Sequence, residues 1–220
     1  KLGFDQWPPG RFAHIAGLKV VLPSRAQDAY SLLRAAIRDE NPVIFIEHRW
    51  LYDVTGDVDE TVATPIGLPA VVREGKSLTV VCASWMNVEA LKAADVLARR
   101  GVDLEVVDVR TAAPLDKGVI VESVRKTGHC LVADYDWVYC GFGAEVAAMV
   151  SHACFKDLKK PVERIGFAHA PCPTTRPLEN LFYPSAITII RTVEKMRGLD
   201  EMDLSGDEFF SYEKKFKGPF

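Results

Sequence analysis

Residues 78–101 read LTVVCASWMNVEALKAADVLARRG, and this stretch decides the fold. Residues 78–83 form a nearly continuous apolar run with the length of a buried strand. Ser84 is placed to cap a helix, and apolar residues recur at helical spacing from there to Arg100. Gly101 follows where a helix ends in a left-handed backbone, which glycine adopts without steric cost. The stretch therefore predicts one strand–helix unit of an α/β fold.

The same unit recurs along the rest of the chain. Further strands are predicted at residues 104–109, 130–133 and 162–165, and further helices at residues 116–128, 144–155 and 185–197. Residues 66–73 precede a turn at residues 74–76 and predict an antiparallel edge strand. Strands that are apolar on both faces and alternate with helices indicate a mostly parallel sheet with helices on both faces.

A shorter β-α-β unit precedes this sheet. Residues 18–22 predict a strand, Ser24 is placed to cap a helix that continues to Arg38, and residues 43–47 predict the next strand. Residues 54–65 are acidic and rich in turn-forming residues, which is typical of a connection between domains. The predicted parts are the end of one α/β domain at 1–62, a complete α/β domain at 63–198 and a tail at 199–220.

The tail mixes acidic residues with aromatic ones. Its aromatic residues are Phe209, Phe210, Tyr212, Phe216 and Phe220. A segment of this composition predicts an arm that docks on a neighbouring subunit or surface rather than an independent fold.

Composition excludes several classes of function. The formal net charge is -3, and the lysines and arginines are scattered, so the chain has no basic face for nucleic acid. The 5 cysteines are an odd number and widely spaced, which is typical of reduced thiols in a cytoplasm-like compartment. No apolar stretch is long enough to cross a membrane, and the first residues lack the layout of a signal peptide. The chain starts abruptly, as though an upstream part were missing.

Four segments offer weak signals of chemistry. Gly141–Phe142–Gly143 follows a strand and precedes a helix, where it could bind an anion, but a tight turn explains it better. His14 lies on the approach to a buried strand, and packing is the favoured interpretation because no partner is visible. Glu47–His48–Arg49 ends a strand and could line a cleft or form an ion pair at the surface. The proline-rich loop at 172–184 is rigid enough to dock on another chain, although rigidity alone would also explain it.

An ordered series of segments resembles the beta subunits of the decarboxylating component of 2-oxo acid dehydrogenase complexes, the pyruvate dehydrogenase-like family. The series is FAHIAGLKVV (12–21), AAIRD (35–39), NPVIFIEH (41–48), DVRT (108–111), PLD (114–116), KTGH (126–129), GFGAE (141–145), LE (178–179) and YP (183–184). The resemblance covers about residues 12–199. Its specificity lies in the order of the segments rather than in any one of them.

The resemblance implies a transketolase-like C-terminal domain at 63–198, preceded at 1–62 by the end of a pyrimidine-binding domain in an N-terminally truncated subunit. It implies the cofactor thiamine diphosphate with Mg2+, bound only together with the missing domain or a partner. The implied partners are a diphosphate-side alpha subunit, further copies of the chain and a lipoyl acyltransferase core. The implied location is the cytoplasm, or the mitochondrial matrix in a eukaryote. The whole enzyme would be an oxidoreductase acting on a 2-oxo acid, and the chain alone would be inactive.

The resemblance also implies a potassium site but no catalytic residue. In the family, the turn after the first helix binds K+ through backbone carbonyls, and the matching positions are Ala36, Ile37, Asp39 and Asn41. The alternative at this turn is an ordinary helix C-terminus with water. The family's His-Ser-Gln segment has its nearest match at residues 4–6, where only the glutamine is kept, and His14 does not occupy the histidine's position.

Two rival functions stay open at this point. A free-standing domain of this type could be a non-catalytic oligomerisation or docking module, which the missing histidine favours. A nucleotide-dependent oxidoreductase rests only on the alternation of strands and helices and on the turn at 141–143, and a fold by itself does not define a function.

Overall fold

The computed structural model describes residues 9–173 and 175–209. They form two β-sheets surrounded by helices. The helices are α1 (Pro9–Ala13), α2 (Ala26–Ile37), α3 (Trp85–Ala98), α4 (Gly118–Thr127), α5 (Phe142–Ala153), α6 (Arg176–Phe182) and α7 (Ala186–Arg197), with a 3-10 helix at Arg49–Asp53. The strands are β1 (Lys19–Val21), β2 (Val43–Phe45), β3 (Ala70–Arg73), β4 (Leu78–Cys82), β5 (Leu104–Asp108), β6 (Thr111–Ala113), β7 (Cys130–Trp137) and β8 (Glu163–Phe167).

The larger sheet has the strand order β3-β5-β4-β7-β8. Strands β5, β4, β7 and β8 are parallel, and β3 pairs antiparallel with β5 at the edge. Helices α3 and α7 cover one face, and α4 and α5 cover the other. The predicted mostly parallel sheet with helices on both faces and an antiparallel edge strand is thus confirmed.

Alternation along the central strand divides the core into two clusters. Val80 and Val81 are both fully buried, yet Val80 packs with α3 and α7 while Val81 packs with α4 and α5. Successive side chains of a strand point to opposite faces, so a strand between two helical layers must be apolar at every position. This is why residues 78–83 form an apolar run rather than an alternating one.

The smaller sheet has the order β2-β1-β6 and joins the two halves of the chain. Strand β1 is parallel to β2, as the predicted β-α-β unit requires. Strand β6 belongs to the second half of the sequence but pairs antiparallel with β1, Val20 opposite Ala113 and Val21 opposite Thr111. The amide of Leu22 also donates to the carbonyl of Arg110 at 2.7 Å. The second half of the chain therefore completes the sheet of the first half.

The glycines predicted at helix C-termini agree with the structure, whereas the serine caps predicted at helix N-termini agree only in part. Gly101, Gly128 and Gly198 all have positive φ, at 71°, 73° and 67°, as expected of helix C-termini. Ser84 is the N-cap of α3, as predicted, although its side chain makes no cap hydrogen bond. The predicted cap at Ser24 is wrong, because Arg25 is the N-cap of α2. Both serines are buried, and the Ser24 hydroxyl bonds to Asp108 and Asn87 instead.

The connection after the first unit lies against α2. The amide of Asp59 donates to Gln27 Oε1 at 2.7 Å, and Ser31 Oγ donates to the carbonyl of Val62 at 3.0 Å. The division into parts at 1–62, 63–198 and 199–220 stays a prediction. The tail is described as far as Phe209, which packs against the α3–α7 side of the core. The tail aromatics Phe210, Tyr212, Phe216 and Phe220 lie outside the described residues.

None of the helices in the described part of the chain combines the length and the hydropathy needed to cross a bilayer.

Candidate functional site

The carboxyl ends of strands from both sheets meet at one cavity. In the larger sheet the chain leads from β4 to β5 on one side and from β7 to β8 on the other, so the strand order reverses between β4 and β7. In open α/β sheets, ligands bind in the crevice outside the carboxyl ends of the strands at such a reversal. Here that crevice is closed from the other side by the ends of β1 and β2.

The cavity has a volume of about 230 Å³. Its lining residues are Pro9, Leu22, Ile46, Glu47, His48, Arg49, Ala83, Ser84, Asp134 and Tyr135. Leu22, Ile46 and Ala83 give it an apolar wall, while the remaining polar side chains converge from β2, β4 and β7. The sequence left a cleft and a surface ion pair open for Glu47–His48–Arg49, and all three residues line this cavity.

His48 is held in one orientation by its neighbours. Its Nδ1 accepts from the amide of Trp50 at 3.3 Å, which places the ring proton on Nε2. The ring stacks on Trp85 at 5.8 Å between centroids and meets Tyr135 edge-on at 4.8 Å. Burial lowers the pKa of His48 to about 4, so the ring is neutral at physiological pH. The Nε2 atom is buried and has no hydrogen-bond acceptor among the described residues.

Ser84 adopts a conformation that side chains rarely tolerate. Its φ is 52° and its ψ is -130°, at the junction where β4 turns into α3. Strained backbone of this kind costs about 1–3 kcal/mol and clusters at functional sites. The serine is 6% exposed and lies in the cavity wall.

The loop Gly141–Phe142–Gly143 is a tight turn, as favoured from the sequence. A Cβ on Gly141 would lie 2.0 Å from the carbonyl oxygen of Trp137, so only glycine fits there. The amide of Gly143 donates to Asp134 Oδ2 at 2.9 Å, and the amide of Phe142 donates to Asp136 Oδ2 at 3.3 Å. The helix N-terminus that could bind an external anion is therefore neutralised by carboxylates of the chain itself.

Burial shifts the pKa of both carboxyl groups. Burial, together with the neighbouring Asp136 carboxylate, raises the pKa of Asp134 to about 7, against the opposing effect of the amides of Gly143 and Tyr135. Burial likewise raises the pKa of Asp136. Asp134 is therefore close to half-protonated near neutral pH, inside the cavity wall.

A buried polar network connects the two halves of the chain beside this cavity. Ser24 Oγ donates to Asp108 Oδ2 and accepts from Asn87 Nδ2 at 2.8 Å. Asp28 Oδ1 lies 2.9 Å from Nη2 of Arg110. Burial raises the pKa of Asp108 to about 6, with the Asp28 carboxylate adding to the rise and Ser24 and Arg110 opposing it. The hydroxyl predicted as a helix cap serves instead to link the halves.

The residues implied for potassium lie at the end of α2. Ala36 and Ile37 are the last residues of the helix, and Asp39 and Asn41 lie in the turn that follows. The carbonyl of Ala36 accepts from the amide of Asp39 at 3.3 Å. The Lys19 ammonium beside Asp39 and the amides of Asn41 lower the pKa of Asp39 to about 2. The Asp39 carboxylate is therefore already paired, so a cation here would depend on main-chain carbonyls.

The remaining candidates are not brought together. His14, His152 and His169 are exposed, and His129 is buried. All five cysteines are free, and only Cys140 is exposed. Within the described ranges, no three His, Cys, Asp or Glu side chains come close enough to hold a metal ion. The loop at 172–184 contains the unpredicted helix α6, whose Leu178 and Leu181 are 54% and 80% exposed.

The raised pKa of Asp134 predicts a specific dependence of stability on pH. Because the folded pKa lies above the unfolded one, this carboxyl stabilises the fold at low pH and loses that contribution as pH rises from about 4 to about 7. We expect the stability advantage of Asp134→Asn over the native chain, as free energy of unfolding, to be roughly 1–3 kcal/mol larger at pH 8 than at pH 5. Urea denaturation at both pH values measures it, with Asp57→Asn at an exposed position as the control. If the variant and the native chain differed in free energy of unfolding by the same amount at both pH values, the raised pKa of Asp134 would be contradicted.

The family description "Transketolase, C-terminal domain" matches residues 68–189, and "Transketolase, pyrimidine binding domain" matches residues 7–55. A split gene transketolase, solved as an inactive beta4 tetramer, shares the fold with a TM-score of 0.73 and 24% identity over 88% of this chain and 62% of that one.

Curated relatives are more similar in sequence. The pyruvate dehydrogenase E1 component subunit beta of Rickettsia felis is 41% identical over 84% of this chain and 57% of its own length. The acetoin:2,6-dichlorophenolindophenol oxidoreductase subunit beta of Cupriavidus necator is 42% identical over 85% of this chain and 56% of its own length. The chain thus spans somewhat more than half the length of these relatives. With the family description covering 68–189 and the fold matching over 88% of the chain, the chain belongs to the transketolase C-terminal domain family, joined at its start to part of a pyrimidine-binding domain.

Proposed function

We propose that the chain is the C-terminal part of a thiamine-diphosphate-dependent 2-oxo acid dehydrogenase beta subunit. Its role is subunit assembly and the supply of part of the active-site wall. The observation that carries the proposal is the smaller sheet, in which the pyrimidine-side strands β1 and β2 are completed by β6. This pairing fixes the pyrimidine-side segment against the C-terminal domain. The similarity to E1 beta subunits extends across both parts.

In this proposal, the residues that bind the cofactor are not among those that the structure describes. These residues contain no group of three or more His, Cys, Asp or Glu side chains suited to a metal ion, so no Mg2+ ligand is proposed among them. We propose that those functions, and the acid that protonates the aminopyrimidine, belong to upstream residues of the parent subunit or to an alpha subunit. When bound, thiamine diphosphate would supply the carbanion chemistry that decarboxylates a 2-oxo acid.

Exposed apolar side chains support the assembly role. Leu33 and Ile37 on α2 are 44% and 75% exposed, and Val58 and Val62 on the connection that is hydrogen-bonded to α2 are 40% and 45% exposed. Exposed apolar side chains on a helix and on the segment bonded to it are candidates for a protein–protein contact. We propose that this α2 surface contacts another subunit, either a second copy or the alpha subunit. Docking to a lipoyl acyltransferase core, in the cytoplasm or the mitochondrial matrix, belongs to the same proposal.

Calorimetric titration of thiamine diphosphate with MgCl2 tests the function. We expect no binding to the chain alone and saturable binding when a diphosphate-side alpha subunit is present, because the described residues offer no cluster of side chains for the Mg2+ that accompanies the diphosphate. Saturable binding by the chain alone would contradict the division of labour. Absence of binding in both cases, with the partner complex formed, would favour the non-catalytic docking module.

A matched pair of variants separates assembly from cofactor binding in the same experiment. Ile37→Glu places a charge on the α2 surface, and we expect it to prevent complex formation in sedimentation velocity. Phe155→Glu, at a side chain that is 81% exposed just beyond α5, should leave the complex intact. If the two variants formed the complex to the same extent, the α2 surface would not be the subunit contact.

We further propose that the turn at Ala36, Ile37, Asp39 and Asn41 binds K+ through main-chain carbonyls. The support is the helix C-terminus, which presents carbonyl oxygens with a favourable dipole. The expected result is that KCl raises the free energy of unfolding over NaCl at equal ionic strength, by roughly 1.4 kcal/mol at about ten times the Kd.

Asp39→Ala removes the contacts that shape this turn and should abolish the difference between the two salts. Glu40→Ala, in the same turn but exposed, is the control and should retain it. Equal stability of the unmodified chain in KCl and NaCl would overturn the potassium site.

A further inference from the structure

A group of positive charges surrounds His129 at the amino ends of the parallel strands. His129 directly precedes β7, and its carbonyl accepts from the amide of Thr79 in β4 at 3.0 Å. The cavity lies beyond the carboxyl ends of the same strands, with Asp134 of β7 in its wall. Extended chain rises by about 3.3 Å per residue, so roughly 17 Å separate His129 from Asp134. The assembly surface and the active-site wall proposed for this chain therefore do not include this end of the sheet.

Two lysines of the loop before β8 approach this histidine. The amide of Lys159 donates to the carbonyl of Gly128 at 2.9 Å. The Lys159 side chain lies over the same glycine, since a Cβ on Gly128 would be 2.8 Å from Cε of the lysine. Lys160 Nζ donates to the carbonyl of Met196 near the end of α7. Both lysine side chains are thus held next to the C-termini of α4 and α7.

Arg197 adds a third cation from the last position of α7. Its Nη1 donates to the carbonyl of Ser77, just before β4, at 3.5 Å. The ring of His129 is 6% exposed, and burial lowers its pKa. The charges of Arg197, Lys159 and Lys160 act in the same direction. Because exposed charges further apart than a Debye length, about 8–10 Å, are largely screened, this joint effect agrees with the contacts that place the three cations around the ring.

These three positive charges lack acidic partners. None of them forms an ion pair within the described ranges. Asp157 of the same loop lies 3.5 Å from Arg125 instead. The ends of α4 and α7 each carry about half a negative charge from their carbonyls, so roughly two positive charges remain uncompensated. A lysine has three N–H donors and an arginine five, so most of the donors also remain available.

We propose that Lys159, Lys160 and Arg197 bind the phosphate group of a small phosphorylated solute beside His129. A phosphate monoester carries about 1.5 to 2 negative charges at neutral pH and three acceptor oxygens, which match the uncompensated charge and the three cations. A carboxylate has one charge and two oxygens, so it would leave about half of the charge uncompensated. The bound phosphate joins the end of α7 to the loop before β8, and binding therefore stabilises the packing of α7 at this end of the sheet.

Calorimetric titration of the chain with inorganic phosphate and with acetate, at pH 7.5 and constant ionic strength, tests the site. Inorganic phosphate stands for the phosphate group and acetate for a carboxylate. We expect phosphate to saturate one site at millimolar concentrations. Acetate should bind at least tenfold more weakly, because it leaves about one more positive charge uncompensated. Equal affinity for the two anions, or no saturation with phosphate, would overturn the proposal.

Three variants that each remove one positive charge locate the site. Lys159→Gln and Arg197→Gln should weaken phosphate binding about tenfold, because each removes a charge-assisted hydrogen bond. Lys156→Gln, in the same loop but outside the group around His129, should change the affinity by less than about twofold. All three side chains are exposed, so we expect the fold to be retained. An equal loss in all three variants would show attraction by net charge alone and would leave no site.

The imidazole of His129 provides a spectroscopic signal for the bound anion. Phosphate compensates the three cations, so it should raise the pKa of His129, measured from side-chain 15N resonances with and without phosphate at equal ionic strength. Lys159→Gln should raise the same pKa in the absence of phosphate. The resonances of the exposed His14, in the first half of the chain, should not respond to phosphate. Saturable binding that leaves His129 unaffected would place the phosphate elsewhere.

Lipid headgroups carry the same phosphate chemistry, and vesicles distinguish the two sources. Three cations around a nearly buried ring suit a single phosphate group rather than a flat membrane surface. We therefore expect the chain not to co-sediment with phosphatidylglycerol vesicles. Co-sedimentation that is lost in Lys159→Gln would overturn the solute in favour of a membrane surface.

The phosphate site and the catalytic proposal are tested independently. Mg2+ neutralises much of the charge on the diphosphate of the cofactor, so the cofactor is expected to compete poorly at this site. Lys159→Gln should lose phosphate affinity but retain the cofactor binding that requires the alpha subunit. Failure of either titration leaves the other proposal standing.

Discussion

The pairing of β6 with β1 is the contact on which the rest of the structure depends. Three residues of the second half of the chain leave the larger sheet after β5 and extend the sheet of the first half. Around this crossing, Ser24 links Asp108 and Asn87, and Asp28 pairs with Arg110. All of these polar groups are buried or nearly so, and each would destabilise the fold if its partner were removed. The crossing therefore fixes the orientation of one sheet relative to the other.

This orientation brings together features that are far apart in the sequence. His48 ends the first β-α-β unit, Ser84 ends β4, and Asp134 lies in β7, yet all three line one cavity. The cavity lies at the reversal of strand order, where parallel sheets generally offer their ligand sites. In contrast, the glycine turn before α5 is occupied by Asp134 and Asp136, which leaves no free helix terminus there. The candidate site therefore lies at the end of β2, and the glycine segment is a tight turn, as favoured from the sequence.

The sequence predicts the layers of this fold well and its contacts poorly. Apolar runs such as residues 78–83 reveal the strands because they are buried on both faces, and Gly101, Gly128 and Gly198 mark helix ends because they require positive φ. Strand β6 is not visible in the sequence, since three residues between a strand and a proline carry no periodicity. Ser24 has the spacing of a cap, but its hydroxyl bonds to Asp108, 84 positions away. Tertiary contacts of this kind leave no local pattern. Of the site, only Glu47–His48–Arg49 could be predicted, from charged residues that follow an apolar strand.

The central claim is that the β6 crossing and its buried polar network make the two sheets one cooperative unit. Native-state hydrogen exchange of the chain and of Ser24→Ala tests this most directly, by comparing the opening free energies of the amides in β1 and in β5. The account predicts similar opening free energies in both strands and an equal loss in both, about 1–3 kcal/mol, when the serine hydroxyl is removed. Much lower protection in β1 than in β5, with only β1 affected by the substitution, would contradict it.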